Sequence, residues 1–316
     1  MKAPYWLLIL TTLFLACNNK APEKKSKSIV FSLNEGAEVR IPLSLNDSVM
    51  SLFNAQETIV CPLQNNIARL PVFESYFEFS DDCKSGWWYD PSRGADYRIA
   101  FEIEEDKYAV KNKEQLPEEW EVQFGDAGDA YTGKLLLNSS KTPLEATILT
   151  ETGDYRYLHG TYSANKLRLQ TFDGAHLFLF TANRISDSLV NGTFYSGKHY
   201  KESWIASVNE DFEMAETEDI VKALNDQLSF EVSNSDGSKT FFSTDSFMGA
   251  PHILQIMGTW CPNCMDESRL LAELYSKYKD QGLKVSALCF ERYKNQEDAW
   301  RAIEKAKADL QIEYPV

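Results

Sequence analysis

From about Ser28 to Val208 the apolar residues fall in short alternations broken by turn signals at roughly ten-residue spacing, the signature of antiparallel strands. The clearest are Leu135 to Leu137, Ala146 to Leu149, Lys166 to Gln170 and His176 to Phe180, and Asp173-Gly174 between the last two is a hairpin turn. An all-β domain over residues 29–208 is the expectation. The pattern then changes. Asp211 to Asp226 is acidic, with Ile220, Val221 and Leu224 at helical spacing, and reads as a linker or short helix within 209–226. Beyond it, Ile253 to Met257 reads as a short buried strand, and Asp266 to Gln281 carries Leu270, Leu271, Leu274, Tyr275 and Tyr278 on one helical face. A second buried strand spans Lys284 to Phe290, and a helix from about Asn295 to Asp309 has Ala299, Trp300, Ile303, Ala306 and Leu310 as its apolar side.

Trp260-Cys261-Pro262-Asn263-Cys264 lies where the first of these strands gives way to its helix. A cysteine at a helix N-terminus meets unpaired backbone N–H groups and the positive end of the macrodipole. Both stabilise the thiolate and lower its pKa from about 8.5 towards roughly 3.5–7.5. An accessible anionic sulfur is a nucleophile towards disulfides, and a second cysteine three residues on can close a bond with it. A metal-binding reading of the same pair needs two further ligands, for which only Cys289 or His252 offers itself.

The stretch His252 to Phe290, with its order of strand, W-C-x-x-C, amphipathic helix and strand, resembles the TlpA/ResA-like thiol-disulfide oxidoreductases of the thioredoxin superfamily. The resemblance implies an α+β multidomain chain: the antiparallel all-β domain, then an α/β thioredoxin-like domain over 227–316 that stops, at Tyr314-Pro315-Val316, before the cis-proline loop of that family. Leu228 to Phe242, turning at Asp236-Gly237, resembles the hairpin that precedes the dithiol strand. The runs Thr152 to Gly160, Phe172 to His176 and Phe194 to His199 resemble an N-terminal extension of Bacteroidota lipoproteins of this family. By the same resemblance Cys261 attacks, Cys264 resolves, Trp260 caps the attacking sulfur and Glu291 moves protons near the dithiol. The implied activity is disulfide reduction without a cofactor, on disulfide-containing protein substrates, with electrons supplied by a membrane thiol shuttle. A peroxiredoxin-type peroxidase fits less well, because Gly258 stands where those enzymes have threonine. The rival from another class is a non-enzymatic surface or periplasmic lipoprotein whose β-domain binds a partner, its thioredoxin part truncated and inactive.

At the other end, Met1-Lys2 and the apolar run Tyr5 to Leu15 have the charge and length of a signal peptide. Leu13 to Cys17 resembles a bacterial lipobox, which makes residues 1–17 a leader and Cys17 a lipidation site, and 18–28 a polar, lysine-rich tether. The expected product is exported and membrane-anchored through lipid on Cys17, facing the periplasm or cell envelope, where several acyl chains hold better than one. A cleaved secretory peptide or an N-terminal helix is the alternative reading.

Composition narrows the partners. With 47 acidic against 32 basic residues the net charge is −15, and no concentrated basic surface is visible, which disfavours a nucleic-acid partner. Of the six cysteines, Cys61 and Cys83 read either as a disulfide, closing a loop of about 20 residues and contributing roughly 3 kcal/mol, or as two buried thiols. Cys289, mid-strand, reads as a packed free thiol, with a third redox sulfur as the minor alternative. His159, His176 and His199 share no ligand spacing, so no metal site is assigned to them. Asp154, Arg156 and Asp173 read as turn and surface ion-pair residues.

Overall fold

The computed structural model describes residues 27–105, 114–125, 131–215, 228–247 and 249–316. The leader with Cys17, the tether up to residue 26 and residues 216–226 of the expected linker lie outside the described residues.

The first eight strands are β1 (Lys27–Ser32), β2 (Glu38–Leu45), β3 (Val49–Asn54), β4 (Glu57–Gln64), β5 (Ile67–Arg69), β6 (Tyr76–Phe79), β7 (Ser85–Tyr89) and β8 (Arg98–Glu105). They close into an antiparallel barrel when β1 pairs with β8, with Ile29 opposite Ile103 and Phe31 opposite Phe101. In β2 the burial alternates, so that Val39, Ile41 and Leu43 point inward and Glu38, Arg40 and Pro42 do not. Side chains of that kind, with Phe31, Phe77, Trp88 and Phe101, fill the interior, as expected for a closed sheet of this size.

A second barrel follows. Its strands are β9 (Glu119–Phe124), β10 (Tyr131–Asn138), β11 (Leu144–Thr150), β12 (Gly153–Asp154), β13 (Leu158–Ser163), β14 (Lys166–Phe172), β15 (Leu177–Ser186), β16 (Leu189–Ser196) and β17 (Tyr200–Val208). The order is β10-β9-β17-β16-β15-β14-β13-β11, and pairing of β10 with β11 closes it, while two-residue β12 folds back on the end of β11. Trp120, Phe124, Leu135, Ile148, Phe180, Phe194 and Trp204 make its core.

The β14–β15 hairpin joins the two barrels. Phe172, at its tip, is fully buried in the core of the first barrel against Phe31, Phe77 and Trp88. Buried Asn54 pairs with the backbone of the same residue, its Nδ2 donating to the Phe172 carbonyl at 2.6 Å and its Oδ1 accepting from the Phe172 amide at 3.1 Å. Gly174 follows with φ +98°, and a Cβ there would lie 2.6 Å from the Phe73 ring, so the tight turn and the close approach both require glycine.

The C-terminal residues corrected the expected fold class. Among the described residues the hairpin of β18 (Ser229–Ser233) and β19 (Lys239–Ser243) stays a separate two-stranded sheet, and β20 (His252–Met257) pairs only with β21 (Lys284–Cys289), in parallel. Two helices, α1 (Pro262–Tyr278) and α2 (Gln296–Leu310), complete this part. Along the free edge of β21 runs the terminal segment, whose Pro315 carbonyl accepts from the Ala287 amide at 2.9 Å. No α/β thioredoxin-like sheet is formed among the described residues, and with 51% of those residues in strands against 16% in helices they are mostly β, built on two closed barrels. Short-range alternation predicts strands but not which distant strands meet, and it is the β1–β8 and β10–β11 pairings that make two barrels of the expected all-β stretch.

Candidate redox site

β20 delivers the chain from a parallel pair buried on one face only, with Gln255, Met257, Val285 and Ala287 inward and Ile256 exposed, into the helix that carries the cysteines. Met257, Met265, Leu271, Val285, Ala287, Ala306, Leu310 and Tyr314 form the core beneath it, joined by Val72 from the first barrel. A buried polar contact fixes the start of α1: Gln255 Nε2 donates to the Cys264 carbonyl at 3.2 Å and to Ser268 Oγ at 3.1 Å, and Tyr314 Oη donates to Gln255 Oε1 at 3.3 Å. Buried groups so satisfied hold one geometry.

Cys261 is the N-cap of α1, with extended backbone, and Pro262 occupies the first helical position, where its missing N–H costs nothing. The cap is a sulfur: Cys261 Sγ accepts from the Cys264 amide at 3.2 Å. Cys261 and Cys264 are joined as a disulfide, with Cα atoms 5.2 Å apart. The two cysteines are placed differently. Cys264 packs against the core, whereas Cys261 lines a cavity of about 230 Å³ between α1 and the second barrel.

Around the pair, Trp260 Nε1 donates to the Phe290 carbonyl at 2.8 Å, and the Arg292 guanidinium lies 3.4 Å from the indole centroid. Gly258 makes room for that indole, since a Cβ on it would lie 2.4 Å from Trp260 Nε1 and 2.8 Å from the Phe290 carbonyl oxygen. Glu291 is tied to the same loop by both oxygens, which accept from the Thr259 amide and hydroxyl at 2.8 Å each.

Part of this chain is similar to a thiol-disulfide oxidoreductase. It is 37% identical over 59 residues to Thiol-disulfide oxidoreductase ResA of Bacillus thuringiensis subsp. konkukian, and equally so to ResA of Bacillus cereus. Each match covers 19% of this chain and 33% of the relative, so the chain spans about a third of the length of the curated relatives it matches. No family model matches the chain. Among solved structures, a tryptophan-to-alanine mutant of the vaccine antigen Transferrin Binding Protein B from Haemophilus parasuis Hp5 aligns over 57% of this chain and 44% of its own, at 10% identity and a TM-score of 0.19. A coarse redox relationship is what the ResA similarity carries.

Among the described residues the other three cysteines, Cys61, Cys83 and Cys289, are separate thiols. Cys61 is buried in the first barrel and Cys83 lies in the turn between β6 and β7, so the structure has them unbonded. Burial pushes the Cys61 thiol up to about 12. Burial first, and then the Glu291 charge, does the same for Cys289, which keeps it a protonated, packed thiol.

Sequence reasoning missed what stands opposite the dithiol. Arg156, read as a surface residue, has a side chain only 8% exposed and joins three parts of the molecule. Its guanidinium donates to Glu57 of β4 at 2.5 Å, to Asp266 of α1 at 2.6 Å and to Asn263 Oδ1, between the two cysteines, at 3.1 Å. Asp154 accepts from Asn263 Nδ2 through its carboxylate at 3.3 Å and its carbonyl at 3.4 Å. Asp173 and His176, from the β14–β15 turn, line the same cavity as Cys261 and are paired at 3.1 Å. Burial opposes ionisation of Asp173, but the His176 contact and the Ala175 amide outweigh it and hold the carboxyl below its ordinary range. His159 and His199 stand elsewhere: the first is buried on β13, the second contacts Arg93 and Tyr97.

Proposed function

We propose that the chain is a thiol-disulfide oxidoreductase that works as a protein-disulfide reductase through the Cys261–Cys264 pair. The observation that carries this reading is the different placement of the two cysteines: Cys261 caps a helix N-terminus and lines a cavity, while Cys264 packs against the core. In the reduced state, backbone N–H groups and the helix dipole favour the Cys261 thiolate. That thiolate attacks one sulfur of a substrate disulfide, the substrate S–S bond breaks, and the departing substrate thiolate takes a proton. The mixed disulfide is then resolved by Cys264, which bonds to Cys261 and releases the second substrate thiol. Two electrons have passed to the substrate, and an external dithiol must return them. The ResA similarity supports this chemistry at the level of reaction class.

Trp260, pinned to Phe290 and faced by Arg292, would restrict access to the Cys261 sulfur, and Glu291, held on Thr259, would pass protons. Lipid on Cys17 would tether the reductase at the membrane, where a membrane thiol shuttle supplies the electrons. The test is a pair of variants. Cys261→Ser abolishes reduction of a disulfide substrate and Cys264→Ser accumulates a covalent enzyme–substrate adduct that dithiothreitol releases; turnover persisting in Cys261→Ser ends the reading.

A further inference from the structure

The cavity over Cys261 is walled on its far side by the second barrel. Trp260, Cys261 and Pro262 form one side, and Thr152, Tyr155 and Phe178 stand among those that form the other. At about 230 Å³ it is smaller than the roughly 300–1,000 Å³ of sites that take drug-sized ligands. The wall is anchored to the dithiol rather than merely near it. Asp154 and Arg156 of the barrel loop both bond to Asn263, and a Cβ on Gly153 would meet Asn263 Nδ2 at 3.4 Å, so backbone and side chains of the loop press on the residue between the cysteines. The convex face of a folded domain cannot bring a disulfide into such a space. One cysteine side chain with its flanking backbone fits, and the aromatic faces of Tyr155, Phe178 and Trp260 suit the apolar stem of such a group.

We infer that this cavity is the substrate subsite, and that it admits disulfides carried on small molecules or on extended, unfolded polypeptide while excluding those on folded surfaces. The inference rests on the redox reading above and adds to it a substrate class, read from the barrel. The attack and resolution steps are unchanged; the barrel loop determines which disulfide sulfur reaches Cys261.

The test uses the full chain with dithiothreitol as electron source and three substrates: glutathione disulfide, an unstructured peptide with one internal disulfide, and a folded domain with an engineered surface disulfide. The peptide is reduced with a kcat/KM at least tenfold above that of the folded domain. Glutathione disulfide turning over as fast as the peptide identifies small disulfides as substrates, and a tenfold lower value identifies polypeptide; either supports the subsite. Thr152→Trp, at an exposed turn position, places a large ring in the cavity and lowers kcat/KM for the peptide at least tenfold, while the equilibrium constant of the Cys261–Cys264 pair against glutathione stays within twofold. Independently of any variant, iodoacetamide alkylates the reduced Cys261 at least tenfold faster than a polymer-linked maleimide, once each is corrected for its rate on a free thiol. Equal rates on folded domain and peptide, wild-type turnover in Thr152→Trp, or equal corrected alkylation rates overturn the inference. A pair with no measurable dithiol–disulfide equilibrium in the wild type overturns the redox reading itself, which none of those three results does.

Discussion

The guanidinium of Arg156, from the second barrel, donates to the side-chain oxygen of Asn263, the residue next to Cys264 in the dithiol turn, at 3.1 Å. The same group holds Glu57 and Asp266, so one buried cation ties both barrels to the start of α1. Burial opposes its charge, yet the Glu57 and Asp266 carboxylates outweigh that cost and raise its affinity for the proton.

Removing that cation leaves Glu57 with its carboxylate largely buried and without its counter-charge. Breaking a buried pair by deleting one partner costs about 3–5 kcal/mol, and the half-exposed Asp266 contact adds little to this. Arg156→Gln is therefore expected to lower unfolding free energy by about 3 kcal/mol in urea titration. Arg156→Lys keeps the charge but not the planar fork and should recover only part of the loss. A destabilisation below about 1 kcal/mol in the glutamine variant would show that the contact is not a structural anchor.

Gly258→Ala tests the loop before the dithiol. The added methyl group would overlap Trp260 Nε1 and the Phe290 carbonyl, and the indole must leave its hydrogen bond. Overpacking of this kind costs about 1–3 kcal/mol. The expected signature is a shift in tryptophan fluorescence together with faster alkylation of the reduced Cys261, as the indole swings away. Unchanged fluorescence and unchanged alkylation together would mean that Trp260 does not shield the sulfur.

Much of the local structure could be read in advance. The strand at 253–257, the second strand and both helices lie within a few residues of β20, β21, α1 and α2, because apolar periodicity is a local property, but the expected burial does not hold throughout: Ile256, Leu270 and Phe290 are exposed. The first helix begins earlier than its apolar face suggests, at Pro262, because the Cys261 sulfur caps it. Hairpin geometry at Asp173-Gly174 was equally legible. Barrel closure was not, since β1 meets β8 only after the whole first barrel has been traversed. Nor was Arg156, which differs from any surface arginine only through Glu57 and Asp266, 99 and 110 residues away in the chain. Such pairings leave no periodicity to detect.

Thiol reactivity should separate the cysteines by environment. Cys61 and Cys289 have thiols pushed up to about 12, mainly by burial, so at pH 8 nearly all of each is protonated and slow to react. After reduction of the native protein, brief iodoacetamide treatment at pH 8 should label Cys261 well ahead of both, as peptide mass mapping would show. Labelling of Cys289 at the rate of Cys261 would revive the idea of a third redox sulfur.

His199 gives the fold a dependence on pH. Partial burial, then the Arg93 guanidinium whose Nη1 lies 3.0 Å from its Nε2, lower its pKa from 6.5 to about 4. The unfolded chain therefore binds more protons here than the folded one between those values, and stability must fall as pH drops from about 6.5 towards 4. His199→Gln cannot take up that proton and should flatten this part of a melting-temperature profile relative to the wild type. An identical acid slope in the variant would place the dependence on other groups.

The joint between the barrels yields the largest expected loss. Phe172 belongs by sequence to the second barrel, yet its ring is fully buried in the first, 5.6 Å from Phe31, 5.5 Å from Phe77 and 5.1 Å from Trp88 between centroids. Truncating a buried phenylalanine costs about 3–5 kcal/mol when the surroundings cannot collapse, and barrel side chains fixed by cross-strand pairing have little freedom to do so. Phe172→Ala should lower stability by that amount while leaving the backbone clasp from Asn54 in place, whereas Phe172→Leu should lose less. Because the Asp173 to His176 turn that follows lines the Cys261 cavity, the alanine variant should also speed alkylation of the reduced Cys261. Loss of stability with no change in that rate would show that the barrel joint and the dithiol wall are mechanically separate.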